Sequence, residues 1–434
     1  MIAGGEIAMA QEEVQVNPQM AVSQLSEFDI NNNNNNNTMG PTPPTKHGHS
    51  LLQFALVLQN TETLDQKMFS ISHPISLCSV SICVILEETV LQQSAAREWL
   101  RLSGISNYES ITILYGNDGF QGMLSMEDEV DAVFVIAHVS DRIQHECVMS
   151  CLRARKHVLI HDRTSRPLPD FREQLDYARR VNRFVQSSTM FVQHHRVTSF
   201  LNCVLVEKFG NITEIEAKLN VNYQDAKFVG VTEILPAESV ADVCIKRLAR
   251  YCVLISVLLL NRAGSAPVAC KIESQTSRKD NQVCSVSGYV LFTGDRMLRF
   301  EVGFTSLTLT RQILEVQSHD RYATMTDFVI PHPDGLANYR VYEKAHNPKT
   351  GKLEVVGGEA LDVLSGPPQG VMMWRRFAQL ARAVEQGGYD SPKAAGALEL
   401  ANITIQTKVI LLALLKSAET KESRPVPVPC DILG

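Results

Sequence analysis

Apolar residues in this chain run first in short unbroken blocks and later in strict alternation, and that change of period divides it in two. The blocks are Gln53–Leu58, Ser81–Leu86 (SICVIL), Val130–Ala137 (VDAVFVIA) and His157–Ile160. Helical spacing fills Thr89–Leu102 and Ile143–Arg153 between them. Short strands that are apolar on both sides and alternate with helices predict a parallel sheet covered on both faces, as in doubly wound domains. From Glu214 the period becomes two: Ile215, Ala217, Leu219, Val221 and Tyr223 alternate with Glu214, Glu216, Lys218, Asn220 and Asn222. Such alternation predicts a strand with one dry and one wet face. Val283–Phe292 and Met297–Val316 read as further long strands, interrupted by Gly288, Gly294 and Gly303. Two helices are expected to close the chain. One carries the stripe Val371, Trp374, Phe377, Ala378, Ala381 and Val384; the other spans Ala397–Lys416. The predicted class is α/β: a parallel-sheet domain over residues 51–186, then an α+β domain with an open-faced, largely antiparallel sheet over 187–434.

Composition changes this picture in three places. Residues 1–50 hold the tract Asn31–Asn37 and the Pro-rich GPTPPT, polar low-complexity sequence that is expected to be a disordered tail without chemistry. Net charge is −6, from 41 basic and 47 acidic residues, which argues against a nucleic-acid or anionic-membrane partner. The ten cysteines follow no CxxC or knuckle spacing, so buried thiols in a reducing compartment are expected. Cys147 and Cys151 stand one helical turn apart, and no metal site is read from two unassisted thiols. The first fifty residues contain no Arg and only Lys46, so no secretory or transit signal is read and the cytoplasm is expected. The apolar runs Tyr251–Leu260 and Val409–Leu415 are too short to span a bilayer.

Three ordered segments carry a resemblance. They are DEVDAVFVIA (Asp128–Ala137) followed by ARKHVLI (Ala154–Ile160); RFVQSSTMFVQHH leading into EKFGNITEIEAKL (Arg183–Leu219); and MTDFVIP (Met325–Pro331) with GPPQGVMMWRRFAQL (Gly366–Leu380). Together they resemble the glucose–fructose oxidoreductase/inositol dehydrogenase (Gfo/Idh/MocA) family, nearest its dihydrodiol dehydrogenase-like and plant branches. The resemblance implies a Rossmann domain, an open sheet that often mediates homodimerisation, and hydride transfer between NAD or NADP and a small sugar, polyol or diol.

Several positions depart from what that chemistry uses. A Rossmann domain admits a pyrophosphate through a glycine-rich first βα turn. Here that turn falls on Leu58-Gln59-Asn60-Thr61-Glu62-Thr63, and no glycine occurs between Gly48 and Gly104. Side chains at Gln59, Asn60 and Thr61, the expected cofactor contacts, obstruct the backbone's approach, and Glu62 adds a like charge. Thr61 or Thr63 can equally serve as a plain helix cap. After the second strand, Glu87 and Glu88 suit ribose hydroxyls and disfavour a 2′-phosphate, or belong to a solvated loop.

The strand HVLI ends in His161-Asp162-Arg163, where the family carries Glu-Lys-Pro. Exchanging the Lys for Asp162 replaces a group of pKa near 10.4 with one near 3.9 and removes a cation. A cis Asp162–Arg163 bond costs about 2.5–4 kcal/mol, so a trans bond and an altered loop path are expected. Ser140 and Gln144 stand where the family has a Pro and a His beside the cofactor. On the helix Lys246–Leu254, Arg247 and Arg250 stand near the family's Asp and His, while Tyr251 matches the dihydrodiol dehydrogenase Tyr and is the remaining candidate acid. A buried structural tyrosine is the alternative. His161 can relay a proton near neutrality, and His194 falls at a substrate-side position; His194 and His195, read as neighbours on a strand, point apart. Arg196, Arg247 and Arg250 are either an anion site or surface arginines. Two functions stay open: an oxidoreductase-family protein with impaired or lost dehydrogenase activity, serving then as a binding or assembly module, and an active NAD-dependent enzyme with a rearranged site.

Overall fold

The two periods become two sheets. The computed structural model describes residues 52–58, 78–87, 90–102, 105, 107–136, 141–161, 168–206, 209–222, 240–277, 284–305, 310–330, 337–346, 353–363, 369–420 and 423–429. The expected N-terminal tail lies outside them.

Six strands, β1 (Leu52–Leu58), β2 (Cys78–Ile85), β3 (Thr112–Tyr115), β4 (Ala132–Val135), β5 (His157–Ile160) and β6 (Val185–Ser187), form the first sheet in the order β3-β2-β1-β4-β5-β6. Every pairing in it is parallel. Helices α1 (Val90–Leu102), α2 (Gly116–Leu124), α3 (Asp141–Arg153) and α4 (Leu168–Arg180) alternate with the strands. Parallel strands need such crossovers, and helices on both faces explain why all of β4 and β5 is buried. Strand order reverses between β1 and β4, so the carboxyl ends of these strands open a crevice there.

One face of this sheet is covered by α8 (Gln369–Gly387), whose expected apolar stripe is buried. The ring of Trp374 lies 4.4 Å from Phe54 and 5.3 Å from Phe134, and Phe377 lies 5.1 Å from Phe184. Truncating any one of these rings removes about 3–5 kcal/mol of packing.

Nine strands form the second sheet: β7 (Ile212–Asn222), β8 (Pro267–Ser277), β9 (Cys284–Phe292), β10 (Arg296–Thr305), β11 (Arg311–Ser318), β12 (Arg321–Thr326), β13 (Ala337–His346), β14 (Leu353–Val363) and β15 (Val426–Pro427). The order is β14-β13-β12-β11-β7-β10-β9-β8-β15, antiparallel except where β7 meets β10. The alternation read at Glu214–Tyr223 holds from Glu214 to Val221, with Ile215, Ala217, Leu219 and Val221 buried; Asn222, read as a wet position, is buried as well, and Tyr223 lies outside the described residues. The long strand expected over Met297–Val316 is two strands, β10 and β11, which pair on opposite sides of β7. Gly288 sits mid-strand because a Cβ there would collide with the Lys271 carbonyl and crowd Phe300.

Three further helices pack with this sheet: α5 (His195–Val206), α7 (Arg250–Arg262) and α9 (Ala395–Thr420). A short α6 (Val240–Val243) precedes α7. By length and composition the helix over Pro392–Thr420 could cross a membrane, although the apolar runs alone are too short. Its Ala397, Ile403, Ile410 and Leu414 are nevertheless buried in the protein core.

Candidate functional site at the carboxyl edge of the parallel sheet

The crevice is flanked by the ends of β2, β5 and β6. Beyond β2 the Leu86 N–H donates to the Leu58 carbonyl, which ties the strand ends together and leaves Glu87 exposed just past them. At β5, the His161 N–H donates to the Val135 carbonyl and the residue is buried. Its Nδ1 lies 3.3 Å from Ser188 Oγ, and its carbonyl accepts Gln144 Nε2 at 3.2 Å. Gln144 thus holds the end of β5, where the sequence suggested a cofactor border. Gln59, Asn60, Thr61, Ser140 and Asp162 lie outside the described residues, as do Glu62, Glu88 and the Asp162–Arg163 bond.

After β6 the chain does not continue as a strand, which corrects the reading of His194 and His195. Met190–Gln193 forms a 3₁₀ turn and α5 begins at His195. The physical reason is capping, since the first N–H groups of a helix need acceptors. His194 supplies them: its carbonyl accepts from the Val197 and Thr198 N–H groups, and its Nδ1 accepts the Arg196 N–H at 3.2 Å. Burial, with the Arg196 charge beside it, lowers the His194 pKa to about 4, so the ring is neutral at pH 7.

Arg196 is not a surface arginine, because only 3% of it is exposed. Its Nη2 donates to the Phe328 carbonyl at 3.2 Å, while Nε and Nη1 have no partner, and burial lowers its pKa to about 10. Arg247 is likewise buried.

The candidate acid enters from the other side. Cys244–Ala249 is π-helical, and α7 follows directly. Such π turns recur at functional sites because the extra residue re-aims the side chains that follow. Arg250 Nη2 donates to Tyr251 Oη at 2.7 Å, and the guanidinium carbon lies 4.6 Å from the ring centroid. The half-buried Tyr251 ring stands edge-on to Phe191 at 5.5 Å, and Phe191 in turn packs on Phe328 at 6.4 Å. His161 and Tyr251 therefore meet the same short segment, one at Ser188 and the other at Phe191.

Sequence reading passed over the polar groups of that segment. Ser187 Oγ and Thr189 Oγ1 are buried without a hydrogen-bond partner, and so is Gln369 Oε1 at the start of α8. The two stretches touch, since a Cβ on Gly370 would lie 3.7 Å from Met190 Sδ. A buried polar atom left unpaired costs about 1–3 kcal/mol. The available signal was three consecutive hydroxyl residues, Ser187-Ser188-Thr189, at the carboxyl end of an apolar strand. Cysteine adds nothing to the edge: burial raises Cys147 to about 11 and Cys151 well above its ordinary value. Among the described residues no group of three or more His, Cys, Asp or Glu could hold a metal.

No family model matches the chain, and no curated protein matches it. Solved structures do. A protein from Desulfitobacterium hafniense, provisionally described as an NADPH-dependent oxidoreductase, aligns with TM-score 0.62 at 13% identity over 89% of this chain and 100% of its own. An oxidoreductase from Pseudomonas syringae aligns with TM-score 0.61 at 10% identity, over 87% and 99%. The 3-ketoreductase KijD10 from Actinomadura kijaniata, solved with TDP-benzene and NADP, aligns with TM-score 0.57 at 16% identity, over 85% and 98%. At such identities the likeness concerns the fold. This chain has the two-sheet architecture of these oxidoreductases, a Rossmann-like parallel sheet joined to a mixed, mostly antiparallel one.

Proposed function

We propose that this chain is an oxidoreductase-type protein that binds NAD or NADP at the carboxyl edge of its parallel sheet, with ordinary dehydrogenase activity impaired or lost. The observation that carries the reading is the strand order, which reverses between β1 and β4 and sets Glu87 past the end of β2 on one side of the reversal and His161 and Ser188 past the ends of the adjacent β5 and β6 on the other. One of the similar solved structures was solved with NADP, which supports a dinucleotide as the kind of ligand.

The residues present fit such a group at both ends of the edge. Glu87 suits ribose hydroxyls and would repel a 2′-phosphate, which favours NAD. The unpaired Ser187, Thr189 and Gln369 atoms offer two hydroxyls and an amide oxygen to a carboxamide or a substrate hydroxyl. When bound, the dinucleotide supplies or accepts the hydride. Impairment is supported by Asp162 standing where the family that the sequence resembles carries a lysine, and by the glycine-free interval between Gly48 and Gly104.

One observation favours the reading of an active enzyme. The Arg250 guanidinium donates to Tyr251 Oη, so the phenol's own proton is not spent on that contact and can be offered to a substrate oxygen. Calorimetric titration with NADH and NADPH, alongside a turnover screen over polyols, diols and sugars, separates the possibilities. Dissociation constants below about 100 μM without turnover are expected. Failure to bind either dinucleotide sinks the binding half of the reading. Turnover that Tyr251→Phe lowers by about 10²-fold or more overturns the impairment half and makes Tyr251 the acid.

A further inference from the structure

We propose that Arg196 binds the oxyanion of an acidic ligand, a carboxylate or a phosphate ester, taken beside the dinucleotide. Placing that ligand beside the dinucleotide rests on the reading above; the anion contact rests on Arg196 itself. The sequence left Arg196, Arg247 and Arg250 as an anion site or as surface arginines, and burial removes the second choice for Arg196. Its Nε–H and both N–H bonds of Nη1 meet no acceptor, although the side chain is a cation at pH 7. Leaving a buried charge with unmet donors is costly, and a fold retains one where something else supplies the acceptor.

A structural tie alone does not explain the residue. Arg196 joins the start of α5 to the turn after β12 through one contact, Nη2 to the Phe328 carbonyl. That turn is held independently. Gln312 Oε1 accepts from the Val329 and Ile330 N–H groups, and Gln312 Nε2 donates to the Ile330 carbonyl. One donor suffices for a tie, and a lysine carries it. Structural arginines elsewhere in the chain are met more fully. Arg262, between α7 and α9, donates from Nε and Nη2 to the two oxygens of Glu399. Arg97 Nη1 donates to the Tyr108, Glu109 and Ile111 carbonyls.

Charge around the guanidinium is also short of balance among the described residues. Asp327 is the acid whose charge reaches Arg196, and it opposes the effect of burial without contacting Nε or Nη1. His194 beside it is neutral, and Arg250 adds a second cation at Tyr251. The two guanidiniums stand at opposite ends of one aromatic row: Arg250 on Tyr251, then Phe191, then Phe328, whose carbonyl Arg196 holds. A ligand that brings its reacting oxygen to Tyr251 has a cation along that row for its acid group. An oxyanion supplies several acceptors and a charge at once, which a neutral polyol does not.

Calorimetric titration of the full chain at low salt tests this with gluconate, lactate and inorganic phosphate. Glucitol and propylene glycol serve as the neutral counterparts of the two acids. At least one acid is expected to bind about tenfold or more tighter than its counterpart. Arg196→Gln keeps an amide donor for the Phe328 carbonyl and removes the charge, so it should abolish that preference. Phosphate that outcompetes both acids, and that Arg196→Gln releases, assigns the oxyanion to a phosphate ester. A crystal of the wild type with the tightest-binding probe reads the contact without any variant: its oxyanion should lie within hydrogen-bond distance of Arg196 Nε or Nη1. Absence of any anion binding overturns the proposal, as does a preference that Arg196→Gln leaves unchanged or an oxyanion bound elsewhere. Anion binding in a chain that takes no dinucleotide sinks the earlier reading alone; NADH binding without anion binding sinks this one alone.

Discussion

The two ends of the six-stranded sheet differ in how far their buried polar groups are partnered. At the amino end, the Gln53 N–H donates to Asp131 Oδ2 at 2.8 Å and the Phe184 N–H to His157 Nδ1 at 2.9 Å. Lys156 is buried there, and its Nζ donates to the Val130 and Met126 carbonyls at 2.7 and 2.8 Å and to the Glu127 carbonyl at 3.4 Å. At the carboxyl end, Ser187, Thr189 and Gln369 keep polar atoms with no partner among the described residues. Unpaired buried atoms occur elsewhere too, on His157 Nε2 at the amino end and on Gln406 and Thr407 of α9. At the amino end each of these side chains has at least one partner within the fold; at the carboxyl end the Ser187, Thr189 and Gln369 atoms keep capacity to spare.

The largest effect should come from the amino end. Lys156→Ala strips the donor from the buried Val130 carbonyl and from the less buried Met126 and Glu127 carbonyls, and urea unfolding should show a loss of about 3 kcal/mol. A loss below about 1 kcal/mol would mean that water replaces the ammonium easily, and the contrast between the ends would weaken.

His157 sharpens the comparison through pH. Burial, helped by Arg183, lowers its pKa to about 3, against 6.5 for the free side chain. The unfolded chain therefore takes up a proton on this ring between pH 6.5 and 3 while the folded chain does not. Its contribution is complete above pH 6.5 and declines as pH falls toward 3, by about 2 kcal/mol at pH 5. His194, lowered to about 4, adds with the same sign. His157→Asn keeps an acceptor for the Phe184 N–H and removes the titration. Its stability should fall less between pH 7 and pH 5 than that of the wild type. Equal slopes would show that His157 is protonated in the folded protein.

What could be read in advance follows the range of the interactions involved. β1, β5 and β7 and the stripe of α8 were legible because burial imposes a local period on the residues that form them. The capping role of His194 was not, since a pair of adjacent histidines before Arg196 looks the same on a strand as at a helix start. Nor was the burial of Arg196, which depends on the Phe328 carbonyl 132 residues away. The π turn at Cys244–Ala249 leaves no periodic trace, although the resemblance had singled out Tyr251 just beyond it. At the carboxyl edge, His161 was found from the strand it ends. Thr189 and Gln369 were not, because they come together only when the chain returns through α8.

Thr189→Val is the smallest and most discriminating change. The substitution keeps the shape at the carboxyl end while deleting a hydroxyl that has no partner. Removing an unsatisfied buried group without leaving a cavity is neutral or stabilising, so urea unfolding should shift by no more than about 1 kcal/mol, and upward. Affinity for NADH, where it is measurable, should fall in the same variant, because the hydroxyl's partner would be the ligand. Stability and binding then move in opposite directions, which a purely structural threonine cannot produce. A fall of about 2 kcal/mol or more with binding unchanged would place Thr189 with Lys156 and His157 among the groups that hold the fold, and would erase the difference between the two ends of the sheet.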